Sequence, residues 1–466
     1  MNTQMDSQLC QKVKFQTLGC RLNQYETQAI REQFAQAGFE ETQDDREAGV
    51  YVLNTCTVTR KSDKENRYLI RKFHRANPDA KIVVTGCYVE GNEAAIKALP
   101  GVSLTVLNRQ KSEIVNLLES CTSFSLAPSV LSSKRRYTPL SISQFEGRTR
   151  AYIKVQDGCN HACSFCKVVL VRGPARSRPM EEVIDEAKRL AGRGFKEVVL
   201  TGIQLGSYGY DLAKRQMLVD ILERLSQIPE LKRIRLSSIE PTDVTRELIE
   251  AMATMEKVCP HLHIPLQSGD SRILERMNRR YRRDFYDELV QSIRARVNHF
   301  LLTTDVMVGF PGEGSFEFDQ TVDLLSRTKP YKLHIFPYSA REGTRSARFQ
   351  DFVKAEEMNR REEILFSLEE KLRENNERMY LGRTLNILVE ESTQREGWAS
   401  GHAENYLKIH FPFAGAPRRI LLKVRAERIE NGELIGSALA PQGLSRFYEK
   451  KSINGIERKD ETWTGS

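Results

Sequence analysis

The chain has 466 residues, 40% of them hydrophobic and 29% charged, which is the balance of a folded globular protein and excludes a largely disordered or collagen-like one. That length implies about three domains, and no stretch approaches the roughly 18 apolar residues of a membrane span. The net charge of +9 favours a polyanionic partner, with RNA or DNA first.

The opening MNTQMDSQLC has no apolar h-region, so a secretory leader is not expected and a cytoplasmic, reducing setting is. There, nine cysteines point to metal or redox work rather than disulfides. From Val13 onward strands and helices alternate. Strands are expected at Lys12–Thr17, Val50–Asn54, Lys81–Thr85 and Val102–Leu107. Helices are expected at Glu26–Ala37, Lys64–His74, Asn92–Leu99 and Ser112–Ser120. This βα alternation predicts a parallel α/β sandwich over residues 11–125. Residues 126–149, rich in Ser, Pro and basic side chains, read as a linker or lid.

A second βα series fills 150–375, with strands expected at Ala151–Gln156, Glu197–Thr201, Arg233–Ser238, His261–Leu266, Thr303–Gly309 and Lys332–Pro337. Eight such units close a full barrel; six predict an incomplete (βα)6 barrel. A long charged helix over 354–379 follows. Residues 376–443 change to short strands at Thr384–Glu390, Tyr406–Phe411, Arg419–Arg428 and Leu434–Leu439, which predicts a small C-terminal β-barrel. Residues 444–466 form a polar tail.

Six of the nine cysteines lie where chemistry is expected. Cys159, Cys163 and Cys166 form a C-x3-C-x2-C motif just after the first barrel strand, where βα barrels gather their reacting groups. Three thiolates this close can hold three corners of an iron–sulfur cube and leave the fourth iron open, whereas electron-carrier clusters mostly use four cysteines. The same cysteines could instead build a zinc knuckle with His161, although His161 sits close between Cys159 and Cys163 for a tetrahedral fit. Cys20, Cys56 and Cys87 each follow a strand of the first domain, so parallel strands would gather them at one sheet edge. The alternative is three ordinary core cysteines. Cys10, Cys121 and Cys259 lack such company and read as incidental.

The residues around the motif resemble those of the radical S-adenosylmethionine methylthiotransferase family. The resemblance rests on Gly158 to Cys166, Arg172 to Arg178, Leu200 to Gln204, Ser237 to Pro241, His263 to Gly269, Met277 to Tyr281, Asp305 to Glu313, and Phe336 to Ser339 with Gly343 and Thr344. It runs in matching order from about Val13 to Leu439. Gly19 to Glu26 is similar to the MtaB branch, which acts on N6-threonylcarbamoyladenosine beside the tRNA anticodon. Sibling branches act on isopentenyl-adenosine in tRNA or on an aspartate of a ribosomal protein. Two departures are Val169, where the family usually carries proline, and Gly314, where it often carries Thr.

The resemblance implies two 4Fe–4S clusters, one on Cys159, Cys163 and Cys166 and an auxiliary one on Cys20, Cys56 and Cys87. S-adenosylmethionine would serve as radical source and methyl donor, and the product would carry a methylthio group at C2 of the adenine. Gly202 and Gln204 are candidates for the methionine end of that cofactor, and Ser238 and Glu240 for its ribose. Asp305 and Glu313 could serve cofactor or substrate, and Arg172, Arg176 and Arg178 could clamp anionic groups. The C-terminal barrel would be a TRAM domain that holds tRNA through Lys408, Arg418, Arg419, Lys423, Arg425 and Arg428. The expected partners are a tRNA substrate, an electron-donor protein and a sulfur source, with no membrane. A non-catalytic RNA-binding protein that uses its metal only for folding is the rival reading.

Overall fold

The computed structural model describes residues 11–120, 137, 139–392, 395–413 and 419–439. Cys10, Cys121, Arg418, the tail and half of the expected linker lie outside the described residues. The chain divides into two compact units, Met1–Arg373 and Glu374–Ser466.

The first unit opens with five parallel strands: β1 (Lys12–Thr17), β2 (Glu40–Glu41), β3 (Val50–Thr55), β4 (Lys81–Gly86) and β5 (Val102–Val106). They lie in the order β2-β1-β3-β4-β5. Every residue of the central strand β3 is buried, as a parallel strand covered on both faces requires. Its side chains alternate between two cores. Val50 and Val52 pack with Ile30 and Phe34, while Tyr51 and Leu53 pack with Ile70 and Phe73. Helix α1 (Arg21–Gln36) covers one face. Helix α2 (Arg60–Ala76) covers the other and is capped by Thr59, whose hydroxyl accepts from Ser62 N. Helix α3 (Cys87–Lys97) begins where β4 ends, five residues earlier than the helical period alone placed it.

The same unit continues into the barrel strands β6 (Ala151–Lys154), β9 (Glu197–Thr201), β10 (Arg233–Leu236), β11 (His261–His263), β12 (Leu301–Val308) and β13 (Lys332–Pro337). Two parallel three-stranded runs, β10-β9-β6 and β11-β12-β13, are joined by parallel bridges between Ile234 and Val258 and between Ser238 and His263. Among the described residues β6 and β13 do not pair, so the six strands form an open, incomplete barrel, as expected. Three of these strands are shorter than expected, among them β10, which ends at Leu236 rather than Ser238. Gln156 and Asp157 leave β6 and form β7, which pairs antiparallel with β8 (Arg176–Ser177). β11 stops before Pro265, which has no N–H to offer the ladder. The described part of the expected linker is not a free lid. Leu140, Ile142 and Phe145 are buried in the barrel core, and Ile142 N donates to Glu186.

The second unit is a closed five-stranded barrel in the order β14-β15-β16-β18-β17. Its strands are Thr384–Ser392, Trp398–His402, Lys408–Pro412, Leu421–Glu430 and Glu433–Ala438, numbered β14 to β18 in chain order. The sequence reading found four of them and missed Trp398–His402, whose Ala, Ser and Gly carry little strand preference. Among the described residues no helix is long and apolar enough to cross a membrane.

Candidate active site between two cysteine triads

β1, β3 and β4 are neighbours, and a cysteine lies in the turn or residue that follows each. Cys20 precedes the first residue of α1, Cys56 follows β3, and Cys87 opens α3. The three thiols share one sheet edge, close enough to act on one another electrostatically. Burial pushes the Cys56 thiol up to about 11 and also raises that of Cys87. The close approach depends on glycine. Gly19 lies at φ +101°, and a Cβ there would stand 2.7 Å from Cys56 Cβ. Gly86 has the same φ, and its Cβ would meet Thr55 O at 2.4 Å.

Cys159, Cys163 and Cys166 lie on the loop that follows β7. Their sulfurs are met by donors: His161 N to Cys159 Sγ at 3.3 Å, Val168 N to Cys166 Sγ at 3.4 Å, and Arg279 Nη1 to Cys163 Sγ at 3.3 Å. Burial raises the Cys159 thiol to about 11 and the Cys166 thiol to about 12. Cys87, Cys159, Cys163 and Cys166 thus each have an N–H group aimed at their sulfur, a donor set that suits thiolate ligands of a metal cluster. A single zinc ion bound at about 2.3 Å per sulfur would draw three sulfurs to within about 4 Å of one another. Among the described residues the group of three ligand atoms that close together is His263, Asp305 and His334; neither cysteine triad is drawn so tight. His161 is buried, which lowers its pKa, and it faces Asp243 rather than completing a tight ligand set.

A buried charge network joins the two halves. Arg172 Nε donates to Cys87 Sγ at 3.1 Å, and its other nitrogens donate to Glu26, Asp157 and Asn23. Lys154 bridges Glu26 and Asp157 at 2.7 and 2.8 Å, and Lys111 reaches Glu26 and Asn54. Arg178 pairs with Glu186 and Tyr25, while Arg176 binds Arg172 O. The anionic groups that Arg172 and Arg178 clamp are therefore the protein's own carboxylates, Glu26, Asp157 and Glu186. Arg172 and Arg178 are buried and already paired inside the protein.

The other expected contacts are placed as follows. Gly202 packs on Gln156, whose Oε1 accepts from Gln204 N. Gln204 Oε1 accepts from Asn160 N in the cysteine loop, which puts this side chain beside that triad. Ser238 lies at the bridge to His263. Glu240 pairs with Arg279 at 2.7 Å, the arginine that also contacts Cys163. Burial raises the Glu240 carboxyl. Glu313 does not face the site. It accepts from Gly309 N and Arg361 and fastens a loop. Cys259 is buried apart from both triads.

A cavity of about 230 Å³ carries one cysteine of each triad in its wall, Cys87 and Cys166. Asp305 also lines it, accepting from His263 Nε2 at 3.1 Å and His334 Nδ1 at 3.2 Å. Burial works against that carboxylate, but the two histidines hold it well below the usual range. Sequence reasoning missed Lys167, Arg279, Lys154 and Glu26. Glu26 and Arg279 meet partners far away along the chain, Lys167 has no ion pair among the described residues to mark it, and only the Arg-Gly-Pro and Asn-Arg-Arg-Tyr runs marked part of the network.

An open six-stranded barrel with a C-x3-C-x2-C loop at a strand end, joined to a parallel α/β sheet that carries three further cysteines, defines a class: radical S-adenosylmethionine enzymes with an additional N-terminal domain. The profile of the Radical SAM superfamily matches residues 153–325, and that of Uncharacterized protein family UPF0004 matches residues 12–107. The chain is 39% identical over 405 residues to the threonylcarbamoyladenosine tRNA methylthiotransferase MtaB of Bacillus subtilis, covering 86% of this chain and 90% of that protein. It is 38% identical to the Aquifex aeolicus protein of the same name, over 85% of this chain and 96% of that one. A tRNA-2-methylthio-N(6)-dimethylallyladenosine synthase of Moorella thermoacetica is 33% identical over 91% and 97%. The radical S-adenosylmethionine methyltransferase TsrM of Kitasatospora setae shares the fold, with a TM-score of 0.52 at 16% identity over 70% of this chain and 72% of that one. The chain belongs to the MtaB family of radical S-adenosylmethionine methylthiotransferases. Membership of the superfamily carries with it S-adenosylmethionine and a 4Fe–4S cluster.

Proposed function

We propose that the protein adds a methylthio group to C2 of N6-threonylcarbamoyladenosine next to the anticodon of tRNA. The observation that carries this reading is the cavity with Cys87 and Cys166 in one wall. A substrate held there touches both triads at once, as sulfur insertion at a single carbon needs. Cys159, Cys163 and Cys166 would hold the cluster that binds S-adenosylmethionine, and Cys20, Cys56 and Cys87 would hold a second 4Fe–4S cluster. When bound, these groups supply radical chemistry at an unactivated C–H bond, a sulfur atom and a methyl group.

The chain's own residues do the positioning. Gly202 and Gln204 would receive the methionine end of S-adenosylmethionine, and Ser238 and Glu240 its ribose. Arg279 orients Glu240 and donates to Cys163. Phe165, Met307 and Phe336 give the cavity apolar walls against which a flipped base can stack and from which water is excluded. The five-stranded barrel, read as a TRAM domain spanning 376–443, would grip the tRNA backbone. An electron-donor protein and a sulfur source complete the cycle in the cytoplasm. The remaining boundaries proposed are 11–125 for the cluster domain, 126–149 for the linker and 150–375 for the radical domain.

The test is one anaerobic turnover with cluster-reconstituted protein, reductant and two tRNA pools, one carrying threonylcarbamoyl-adenosine and one isopentenyl-adenosine. A methylthio nucleoside by mass spectrometry from the first pool alone is the expected result. Product from the second pool alone would overturn the substrate.

A further inference from the structure

The two kinds of relative differ in what the adenine N6 carries. A threonylcarbamoyl group ends in a carboxylate, whereas a dimethylallyl group is wholly apolar. A largely apolar cavity accepts the second without help. It accepts the first only if a cation meets the carboxylate, because a buried unpaired charge is costly.

Such a cation is present. Lys167 lines the cavity and makes no ion pair or side-chain hydrogen bond among the described residues. Its chain lies over Gly91, where a Cβ would stand 3.6 Å from Lys167 Cε. Arg341 lines the same cavity and is 5% exposed. Its Nη2 is committed to Thr57 and Asp63, but its Nε has no partner. A buried guanidinium N–H left without an acceptor is a cost that a ligand oxygen would relieve. The hydroxyls of Thr57, Thr59 and Ser339 border the same wall. Asp305, the acid in this cavity, is already engaged by His263 and His334.

We propose that Lys167 and the free Nε of Arg341 form a carboxylate subsite that selects the threonyl end of the substrate's N6 group. This rests on the proposed reaction and adds the residues that choose between anionic and apolar adenosines. Lys167 supplies the charge, and Arg341 Nε supplies a fixed donor whose direction is set by Asp63. Discrimination of this kind is strong when a buried polar group is left unpaired by the wrong substrate.

The experiment compares two anticodon stem-loop RNAs, one with the threonylcarbamoyl carboxylate and one with that carboxylate converted to a carboxamide. Affinity and turnover are measured for the full chain and for Lys167→Met and Lys167→Arg. A charge-assisted contact of about 1.5–3 kcal/mol corresponds to roughly 10- to 100-fold. The unaltered chain should prefer the acid by that factor, in Kd and in KM rather than kcat. Lys167→Met should lose most of the preference, and Lys167→Arg should keep it. Equal use of acid and amide by the unaltered chain overturns the subsite while leaving the reaction standing. So does a Lys167→Met variant that weakens both RNAs alike. Failure on both RNAs with turnover of isopentenyl-adenosine RNA instead overturns the reaction, and the subsite with it.

Discussion

Arg172 Nε and Cys87 Sγ lie 3.1 Å apart, so a side chain from the barrel is fastened to a thiol of the N-terminal sheet. The remaining guanidinium nitrogens spread over Glu26, Asp157 and Asn23. One buried cation thereby ties both proposed cluster sites to a common frame. Arg172→Met removes that charge and leaves two buried carboxylates short of a partner. The expected loss of stability is about 3–5 kcal/mol, read from urea unfolding. Iron bound by the Cys20, Cys56 and Cys87 site should fall more than iron bound by Cys159, Cys163 and Cys166. Arg172→Lys should recover part of the stability but not the forked contacts.

Gly158 stands immediately before Cys159 at φ +74°, and a Cβ on it would lie 2.0 Å from Pro174 O. Gly158→Ala must move backbone, since no flexible side-chain end is there to yield. It is expected to destabilise by about 1–3 kcal/mol and to displace the cysteine loop. Cleavage of S-adenosylmethionine, followed as 5′-deoxyadenosine, should be lost. Gly147→Ala is the contrast. Gly147 has a positive φ of +64° but open space around it, so only the dihedral cost applies and cleavage should persist.

The cysteine triads were legible in the sequence for two different reasons. Cys159, Cys163 and Cys166 are local, so spacing alone gathers them. Cys20, Cys56 and Cys87 are distant, but each follows a stretch read as a strand, and a parallel sheet brings such ends together. The Arg172 network was not legible. Glu26 and Arg172 are separated by more than a hundred residues, and a charged residue in a helical or loop pattern reads as solvent-facing until the partner fold is known. The same holds for Glu313, which looked like a site acid and is instead a loop fastener held by Arg361. Strand ends were misjudged where a side chain's hydrogen bonds, not its apolarity, set the limit, as at Gln156, whose amide donates to Asp157 O and Gly158 O.

Stability should depend on pH through Glu26 and Asp157. Burial opposes ionisation of Glu26, yet Arg172, Lys111 and Lys154 outweigh it and hold the carboxyl well below its usual range. Asp157 is likewise lowered, by Lys154 and Arg172 against burial. A folded-state pKa below the unfolded one contributes stability that is fully present above the unfolded value, about 4. That contribution is lost as pH falls toward the folded value. The urea midpoint should therefore vary little on account of these groups between about pH 7 and 5 and drop steeply below about pH 4. Glu26→Gln should lower the neutral-pH midpoint and flatten the acid drop. An unchanged acid limb in that variant would assign the drop to other carboxylates.

The outer face of the C-terminal barrel gives the prediction most independent of the clusters. Strand β17 alternates buried Leu422, Val424 and Ala426 with exposed Lys423 and Arg425. Basic side chains on the solvent face cannot be serving the barrel core, and neither stands in an ion pair among the described residues. Arg428, further along, is paired with Glu430 and Glu427 and is already partly neutralised. If Lys423 and Arg425 meet phosphates, the double variant Lys423→Ala, Arg425→Ala should weaken binding of all tRNAs alike. The slope of log affinity against log salt should fall by about 1.5–2. Arg428→Ala should change that slope less. Thermal unfolding should stay essentially as it was, because neither replaced side chain is packed. An unaltered salt slope in the double variant would remove this face from the RNA-binding surface and leave the active-site cavity to account for tRNA affinity by itself.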